Sequence, residues 1–171
     1  MLIETRILSI TELTLRDISF IRALTNSPGW LEFIGDRNIH SDQDAIKYLE
    51  TGPMSSYKIH GFGLFRVALK ETNEPIGMCG FLKRDMLPYP DLGFAFLPEY
   101  QGQGYAYEAA SVILNWAERN LTSNYVLALT KSENERSIKH IQKLGFEEIS
   151  PIPMNNELLS QFQYRLDQAK T

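Results

Sequence analysis

The stretch that most constrains the fold is DLGFAFLPEYQGQGYAYEA, residues 91–109. The apolar run at 92–97 has the length of one buried strand, and Pro98 ends it because proline cannot donate to a sheet ladder. Apolar residues then recur at helical spacing, at Ala109, Val112, Ile113 and Trp116. A strand, a loop with two glycines and a helix therefore follow one another directly.

This order of elements favours binding of an anion by the backbone. The first N–H groups of a helix lack partners within the helix, and the helix dipole adds partial positive charge there. Gly102 and Gly104 would let the backbone approach a phosphate closely. The loop contains no Lys or Arg, so N–H groups would hold the phosphate, and a pyrophosphate suits such a loop better than a triphosphate.

Two common phosphate-binding motifs do not fit the loop. A dinucleotide-binding fingerprint needs a small residue where this chain has Tyr107, and a nucleoside-triphosphate loop ends in Gly-Lys-Ser/Thr, which is absent here. Without further context, two glycines in a loop more often mark a turn than a phosphate site.

The loop and its flanks resemble motif A of the GNAT superfamily of N-acetyltransferases. That motif reads Gln or Arg, two residues, Gly, one residue, then Gly or Ala, and Gln101, Gly104 and Ala106 match it. The run LGFAFLPEYQGQGYAYEA is similar to the RimJ/RimL-like branch, in which a strand ending Leu-Pro-Glu leads into the loop. A second similarity follows at residues 134–146, in the pattern Asn, two residues, Ser-Ile, then Lys-Leu-Gly-Phe.

The resemblance implies the fold and the cofactor. The expected fold class is α/β (α+β), with a GNAT-like mixed, mostly antiparallel central sheet of about six to seven strands flanked by helices. The expected co-substrate is acetyl-coenzyme A, whose pyrophosphate binds the loop and whose pantetheine arm pairs with the preceding strand. The cofactor-binding residues implied are Phe96, Leu97, Gln101, Gly102, Gln103, Gly104, Tyr105, Ala106 and Asn134. Arg136 or Lys139 would approach the coenzyme phosphates, whereas without the resemblance Asn134 is only a helix-entry residue.

Acetyl transfer to an amine requires a neutral amine, stabilisation of an oxyanion and a proton for the departing thiolate. Asp91 stands where the branch usually carries Glu, so it is the candidate acceptor of the amine proton; the alternative is an exposed loop carboxylate. The Leu97 N–H is the expected oxyanion donor. Many family members use a Tyr to protonate the thiolate, but this chain has Ile141 there. Ser137 becomes the candidate for that role, against the alternative of an ordinary polar residue in a first helical turn.

Composition excludes several classes of protein. The chain has 171 residues and a formal charge of −4, which suits one domain, 1–171, and argues against nucleic-acid binding. The single cysteine, Cys79, lies in an apolar run and is predicted to be a core residue rather than a nucleophile. The three histidines match no ligand spacing, so we expect no metal.

The N-terminal stretch carries Glu4 and Arg6 and lacks a signal-peptide pattern, and no apolar run reaches the roughly 18 residues of a membrane span. We therefore expect a cytoplasmic monomer or homodimer without membrane contact. The cluster at Trp30, Leu31, Phe33 and Ile34 is predicted either to wall the acceptor pocket or to be core.

Periodicity and turn residues predict the remaining elements. In order, they are a strand at 2–10, a helix from Thr14 to Pro28, a helix at 42–50 capped by Ser41, antiparallel strands at 62–70, 76–83 and 92–97, a helix at 104–120, a strand at 125–130 parallel to the central one, a helix ending at Gly145, and a final strand at 162–166.

The leading functional hypothesis is an N-acetyltransferase in which a primary amine attacks acetyl-coenzyme A directly. The acceptor would be a protein N-terminal α-amine or a small amine such as a polyamine or an antibiotic, which the acidic net charge permits. The alternative from another class is a catalytically silent acyl-coenzyme A sensor module.

Overall fold

Eight β-strands form one sheet in the computed structural model of the chain, which describes residues 2–167. The strands are β1 (Leu2–Glu4), β2 (Leu8–Thr11), β3 (Leu64–Leu69), β4 (Pro75–Leu82), β5 (Asp91–Phe96), β6 (Tyr125–Lys131), β7 (Glu147–Met154) and β8 (Glu157–Arg165). Their order across the sheet is β1-β2-β3-β4-β5-β6-β8-β7.

The helices are α1 (Ile18–Thr25), α2 (Pro28–Phe33), α3 (Asp42–Thr51), α4 (Pro53–His60), α5 (Tyr105–Asn120) and α6 (Glu135–Lys143). The predicted helix starts at Thr14 and Ser41 are confirmed, and each forms a capping box with an Asp three residues later. Thr14 caps a short 3-10 turn, Leu15–Asp17, which leads into α1. The predicted stop at Gly145 is also confirmed by its left-handed φ of 100°.

The predicted fold class is confirmed. Strands β3, β4 and β5 form the expected antiparallel meander, and β6 lies parallel to β5 as the crossover through α5 requires. All other neighbouring strands are antiparallel. The sheet has eight strands rather than about six to seven, and the extra strands come from the two ends of the chain.

At the N-terminal end, residues 2–10 were predicted as a single strand, but the chain reverses direction there. The Thr5 N–H donates to the Leu8 carbonyl at 2.9 Å, and the Thr5 hydroxyl accepts the Leu8 N–H at 2.8 Å. Thr supplies this local side-chain bond readily. The result is the β1–β2 hairpin.

Two further elements, α4 and β7, were not predicted. Helix α4 has little apolar periodicity; it begins with Pro53 in its first turn and ends at Gly61, whose φ is 75°. Strand β7 contains Pro151 and Pro153, which argue against a central strand, and it lies at the sheet edge, where proline is tolerated.

The two faces of the sheet bury separate apolar clusters. On one face, β5 and β6 pack against α5 and α6. On the other, residues of β4 and β5 pack under α1 to α3, while β6, β7 and β8 pack against the link between β4 and β5. The boundary between the last two clusters lies along β5.

Candidate active site

The sheet opens between its two central strands. Among residues 2–167, the ladder between β5 and β6 contains one register pair, Asp91 with Leu127, supported by a 2.9 Å bond from the Leu127 N–H to the Pro90 carbonyl. Strand β5 pairs along its whole length with β4, and β6 pairs along its whole length with β8. Beyond Asp91 the two strands therefore diverge and leave an opening with strand backbone along one side.

The backbone groups of β5 alternate between β4 and this opening. The Leu97 N–H donates to the Ile76 carbonyl of β4 at 2.9 Å, which identifies the β4-bonded residues as the odd-numbered ones. The backbone groups of Leu92, Phe94 and Phe96 therefore face the opening.

This geometry does not support the roles predicted for Leu97. Its N–H is bound to Ile76, and its carbonyl accepts the Tyr100 N–H at 3.0 Å. Neither group is free to hold an oxyanion or to pair with a pantetheine arm. The backbone groups of Phe94 and Phe96 have the orientation that those roles need, with the Phe96 carbonyl accepting the Gln101 Nε2 at 2.9 Å. The role expected for Phe96 stays a prediction.

The glycine loop and the start of α5 lie at the C-terminal end of β5. Gly102 and Gly104 have φ values of 76° and 85°, a conformation that other L-residues adopt only under strain. Gly104 is the N-cap of α5 and supplies no side-chain cap bond, and the first intrahelical donor is the Glu108 N–H. The amides of Tyr105, Ala106 and the following residue therefore have no partner within the helix, as an anion site requires. A Cβ on Gly104 would point into open space.

Helix α6 places polar residues against this loop. Asn134 is the N-cap of α6, and its Oδ1 accepts the Ser137 N–H at 3.2 Å, so the helix-entry interpretation is confirmed while its role toward a coenzyme stays a prediction. Ser137 is half-buried in the first turn. Arg136 donates to the Gln101 Oε1 at 3.1 Å, whereas Lys139 is exposed and has no such contact with the loop.

His140 lies beside the opening on the α6 side. Its ring makes an edge contact with Phe94, centroid to centroid at 4.6 Å, and a second with Tyr107. Burial, with a smaller effect of Lys143, lowers the pKa of His140 to about 4. The imidazole is therefore neutral at physiological pH, and its buried Nε2 has no hydrogen-bond partner among the described residues.

Asp91 lies on the opposite face of the sheet, between the two apolar clusters described above. Its ladder partner Leu127 belongs to the cluster of β6 to β8, and Ala95, on the same face of β5, packs against the cluster under α1 to α3. The Asp91 residue is only 2% exposed. The alternative of an exposed loop carboxylate is therefore wrong.

The carboxylate of Asp91 is held by Arg84. The Arg84 Nε lies 3.2 and 3.3 Å from its two oxygens, and an Nη of Arg84 lies 3.8 Å from the Met154 sulfur. Burial raises the pKa of Asp91 above its ordinary value, and Arg84 acts in the opposite direction. Sequence reasoning missed Arg84, although the β4–β5 hairpin pairs Leu82 with Asp91 and so folds Arg84 back toward that carboxylate.

Helix α2 and the end of β6 meet on the same face of the sheet as Asp91. The Lys131 Nζ donates to the Glu32 carbonyl of α2 at 3.2 Å and lies 3.5 Å from a Glu157 carboxylate oxygen. Trp30 anchors α2 in the cluster under α1 to α3, and its buried indole N–H has no acceptor within residues 2–167. The core interpretation is confirmed for Trp30 but wrong for Leu31 and Ile34, which are 42% and 38% exposed. The role of the cluster in an acceptor pocket stays a prediction. The sequence around Lys131 did not predict these contacts, because its partners Glu32 and Glu157 lie far from it in the chain.

Other chemical groups do not add to the site. Cys79 is fully buried, and burial raises the pKa of its thiol well above the ordinary value, which keeps it protonated and unreactive. Within the described part of the chain, no three His, Cys, Asp or Glu side chains come together as a metal site would require. None of the helices formed by residues 2–167 has the length and apolar character of a membrane crossing.

Comparisons with known proteins identify the fold and the family of the chain. The chain is 25% identical over 168 residues to "Uncharacterized N-acetyltransferase YnaD" of Bacillus subtilis (strain 168), covering 96% of this chain and 95% of that protein. Its fold matches the coenzyme A complex of RimL, a ribosomal L7/L12 alpha-N-protein acetyltransferase, with a TM-score of 0.85 and 13% identity over 98% and 99% of the two chains.

A second solved structure has a different acceptor in its name. It is a chimera of spermidine N-acetyltransferase SpeG from Vibrio cholerae and hSSAT, with a TM-score of 0.75 and 16% identity over 93% of this chain and 95% of that chain. At such identities the two structures support the fold alone. A family model for the acetyltransferase (GNAT) domain matches residues 8–147. The chain therefore belongs to the GNAT family of acetyltransferases.

Proposed function

We propose that this chain transfers the acetyl group of acetyl-coenzyme A to a primary amine, as a member of the RimJ/RimL-like branch. One observation carries the proposal: the opening between β5 and β6 leads from a strand whose backbone groups beyond Asp91 lack β6 ladder partners to the uncapped start of α5. A pyrophosphate suits the helix start, and an extended amide-bearing arm suits the strand. A single domain and a cytoplasmic location remain predictions.

The proposed coenzyme position follows from this path. The pyrophosphate accepts hydrogen bonds from N–H groups of residues 102–106, with Gly102 and Gly104 allowing close approach. The Gln101 N–H already donates to the Pro98 carbonyl at 3.2 Å. The pantetheine arm then runs along β5 toward Asp91 and pairs with the Phe96 backbone. The loop follows the C-terminal end of β5, and Asp91 lies at its N-terminal end. An arm that runs from the loop along the strand therefore carries the thioester toward Asp91.

The proposed reaction has two stages. The amine nitrogen attacks the thioester carbon, and the carbonyl oxygen becomes an oxyanion that the Phe94 N–H stabilises. The carbon–sulfur bond then breaks, the amine proton passes to Asp91 and from there to solvent, and the thiolate takes the Ser137 hydroxyl proton, which a water molecule replaces. The products are the acetylated amine and free coenzyme A, without an acyl-enzyme intermediate.

Asp91 would act through a short proton path. Its burial and its bond to Arg84 leave little surface for direct contact with the amine, so one water molecule would carry the proton between them. Burial raises its pKa and makes the carboxylate a better base than an exposed aspartate, while Arg84 orients it.

Two classes of acceptor are compatible with the proposed function. A protein N-terminus and a small polyamine both present a primary amine, and the family relatives named above include one example of each. The formal charge of −4 attracts either as a cation.

One observation favours the sensor alternative. Ile141, which replaces the Tyr acid of many family members, is 1% exposed and belongs to the apolar core. It can supply no proton to a thiolate. A chain that binds acetyl-coenzyme A but releases it unreacted would have this feature.

The test is thiol release from acetyl-coenzyme A by the purified protein, measured with a panel of N-terminal peptides and small amines. We expect release that depends on one acceptor class, with acetylation of that acceptor detected by mass spectrometry. Coenzyme binding without thiol release from any acceptor would favour the sensor module instead.

A further inference from the structure

The side chain of Gln101 connects the two walls of the coenzyme opening. Its Nε2 donates to the Phe96 carbonyl of β5 at 2.9 Å, and its Oε1 accepts from the Arg136 Nη1 of α6 at 3.1 Å. The backbone of α2 also comes close, since a Cβ on Gly29 would lie 3.7 Å from that Nε2. One neutral amide therefore joins β5 to α6 across the path that the coenzyme would take.

Arg136 is held directly on the glycine loop. A Cβ on Gly102 would lie 3.0 Å from the Arg136 Nη2, a tight contact that would require the guanidinium to move. The residue is exposed, and its bond within the site is to a neutral oxygen. A phosphate oxygen is a stronger acceptor for a guanidinium than an amide oxygen is.

In the proposed function, both groups that bond to the Gln101 side chain would also bind the coenzyme. The Phe96 carbonyl faces the opening, where an amide of the pantetheine arm would bind, and Arg136 adjoins the loop that would bind the pyrophosphate. The neighbouring Gln103 differs, because its Nε2 donates to the Glu99 carbonyl at 2.8 Å and so stays within its own turn.

We propose that Gln101 is a clasp that competes with the coenzyme for Phe96 and Arg136. In the free protein it holds both groups. When the coenzyme binds, Arg136 exchanges the Gln101 Oε1 for a phosphate oxygen, and the Phe96 carbonyl exchanges the Gln101 Nε2 for a pantetheine N–H. This inference rests on the coenzyme site of the proposed function and adds that the Gln101 side chain opposes binding.

Two substitutions at Gln101 have opposite expected effects. Gln101→Ala releases both partners, so the Kd for coenzyme A should fall by about 2- to 10-fold, the size of one net hydrogen bond. Gln101→Glu holds Arg136 by a charge-assisted bond and repels phosphate, so that Kd should rise by about 10-fold or more. Gln43→Ala and Gln43→Glu, at an exposed position of α3, are the matched controls, and each should leave the Kd for coenzyme A unchanged.

Binding of pantetheine, which lacks phosphate, tests the Gln101 bond to Phe96 separately from the Gln101 bond to Arg136. Gln101→Ala should also tighten pantetheine binding, because Phe96 is released. Adding Arg136→Gln to that variant should remove the extra gain for coenzyme A and leave the gain for pantetheine. Isothermal titration calorimetry measures each Kd, and the melting temperature identifies any variant that fails to fold.

The outcomes distinguish this inference from the proposed function. Weaker or unchanged coenzyme A binding by a folded Gln101→Ala protein would overturn the clasp. The proposed coenzyme site would still be supported if binding by the wild type is lost on substitution of Gly104. Absence of coenzyme A binding by the wild type would overturn both.

Discussion

The two sides of the opening between β5 and β6 are built in different ways. The proposed coenzyme side consists mainly of backbone groups from two continuous segments, residues 92–106 and 134–137, ordered by glycines and a helix start. The proposed acceptor side consists of side chains from separate segments, including Arg84 with Asp91 and Lys131 with α2. A site made of backbone is encoded locally and is visible as a motif, whereas a site made of side-chain pairs depends on the tertiary fold.

The largest expected effect is on the coenzyme side. Gly104→Val places a branched side chain in open space over the start of α5, at a φ of 85°. Coenzyme A binding should weaken at least about 100-fold, which corresponds to the loss of roughly two charge-assisted hydrogen bonds. Titration calorimetry measures the effect.

Gly61→Val is the matched control, because Gly61 has a φ of 75° and also leaves a Cβ in open space. Both variants should lose stability through left-handed strain, by roughly 1–2 kcal/mol or more for a branched residue. Similar coenzyme affinity in the two folded variants would argue against the loop as the binding site.

The second effect is on turnover and belongs to the acceptor side. Asp91→Asn keeps the shape of the side chain but removes its basicity, so kcat should fall by about 100- to 10,000-fold while the Kd for coenzyme A changes little. Asp17→Asn is the control, since Asp17 forms another buried pair, 2.9 Å from the Arg66 Nε. Loss of stability without loss of kcat is expected there, and equal kcat in both variants would remove Asp91 from proton transfer.

A third effect concerns pH. Arg84 lowers the pKa of Asp91 against the raising effect of burial, so Arg84→Gln should raise that pKa further. A base must be deprotonated to act, and the acid limb of kcat/KM should therefore move to higher pH in the variant. A pH–rate profile whose acid limb stays in place would show that Asp91 does not control it.

The smallest effect concerns acceptor positioning. Lys131→Met removes the bonds to Glu32 and Glu157, and the KM for the acceptor should rise by about 2- to 5-fold, as expected for a partly exposed ion pair. The Kd for coenzyme A should stay the same. Lys70→Met removes a comparable surface pair with Glu4, at 3.2 Å, and should leave both constants unchanged; a KM rise of the same size there would make the Lys131 effect non-specific.

The sequence was most informative where local patterns decide the structure. The strand, loop and helix around Gly104, the β3–β4–β5 meander and the helix caps at Thr14 and Ser41 were all predicted, because turn residues and periodicity act within a few positions. The β1–β2 hairpin was missed because the Thr5 side chain reverses the chain within an apolar run that resembles one strand. Strand β7 was missed because its prolines argue against a strand, although they are tolerated at the edge of a sheet.

In the candidate site, too, features that depend on local sequence were predicted and features that depend on the tertiary fold were not. The loop residues were predicted from the motif and stay a prediction, but the direction of the Leu97 N–H depends on strand register, which alternates at each residue. The Arg84 partner of Asp91 depends on how the hairpin loop folds back. Neither follows from residue type alone.

Hydrogen exchange of the backbone amides, measured with and without coenzyme A, tests the contrast between the two sides most directly. We predict that added protection is concentrated at residues 92–106 and 134–137, with little change at α2 and at residues 83–90. Protection centred on α1 to α3, or absent from residues 101–106, would contradict the assignment of the coenzyme to the opening between β5 and β6.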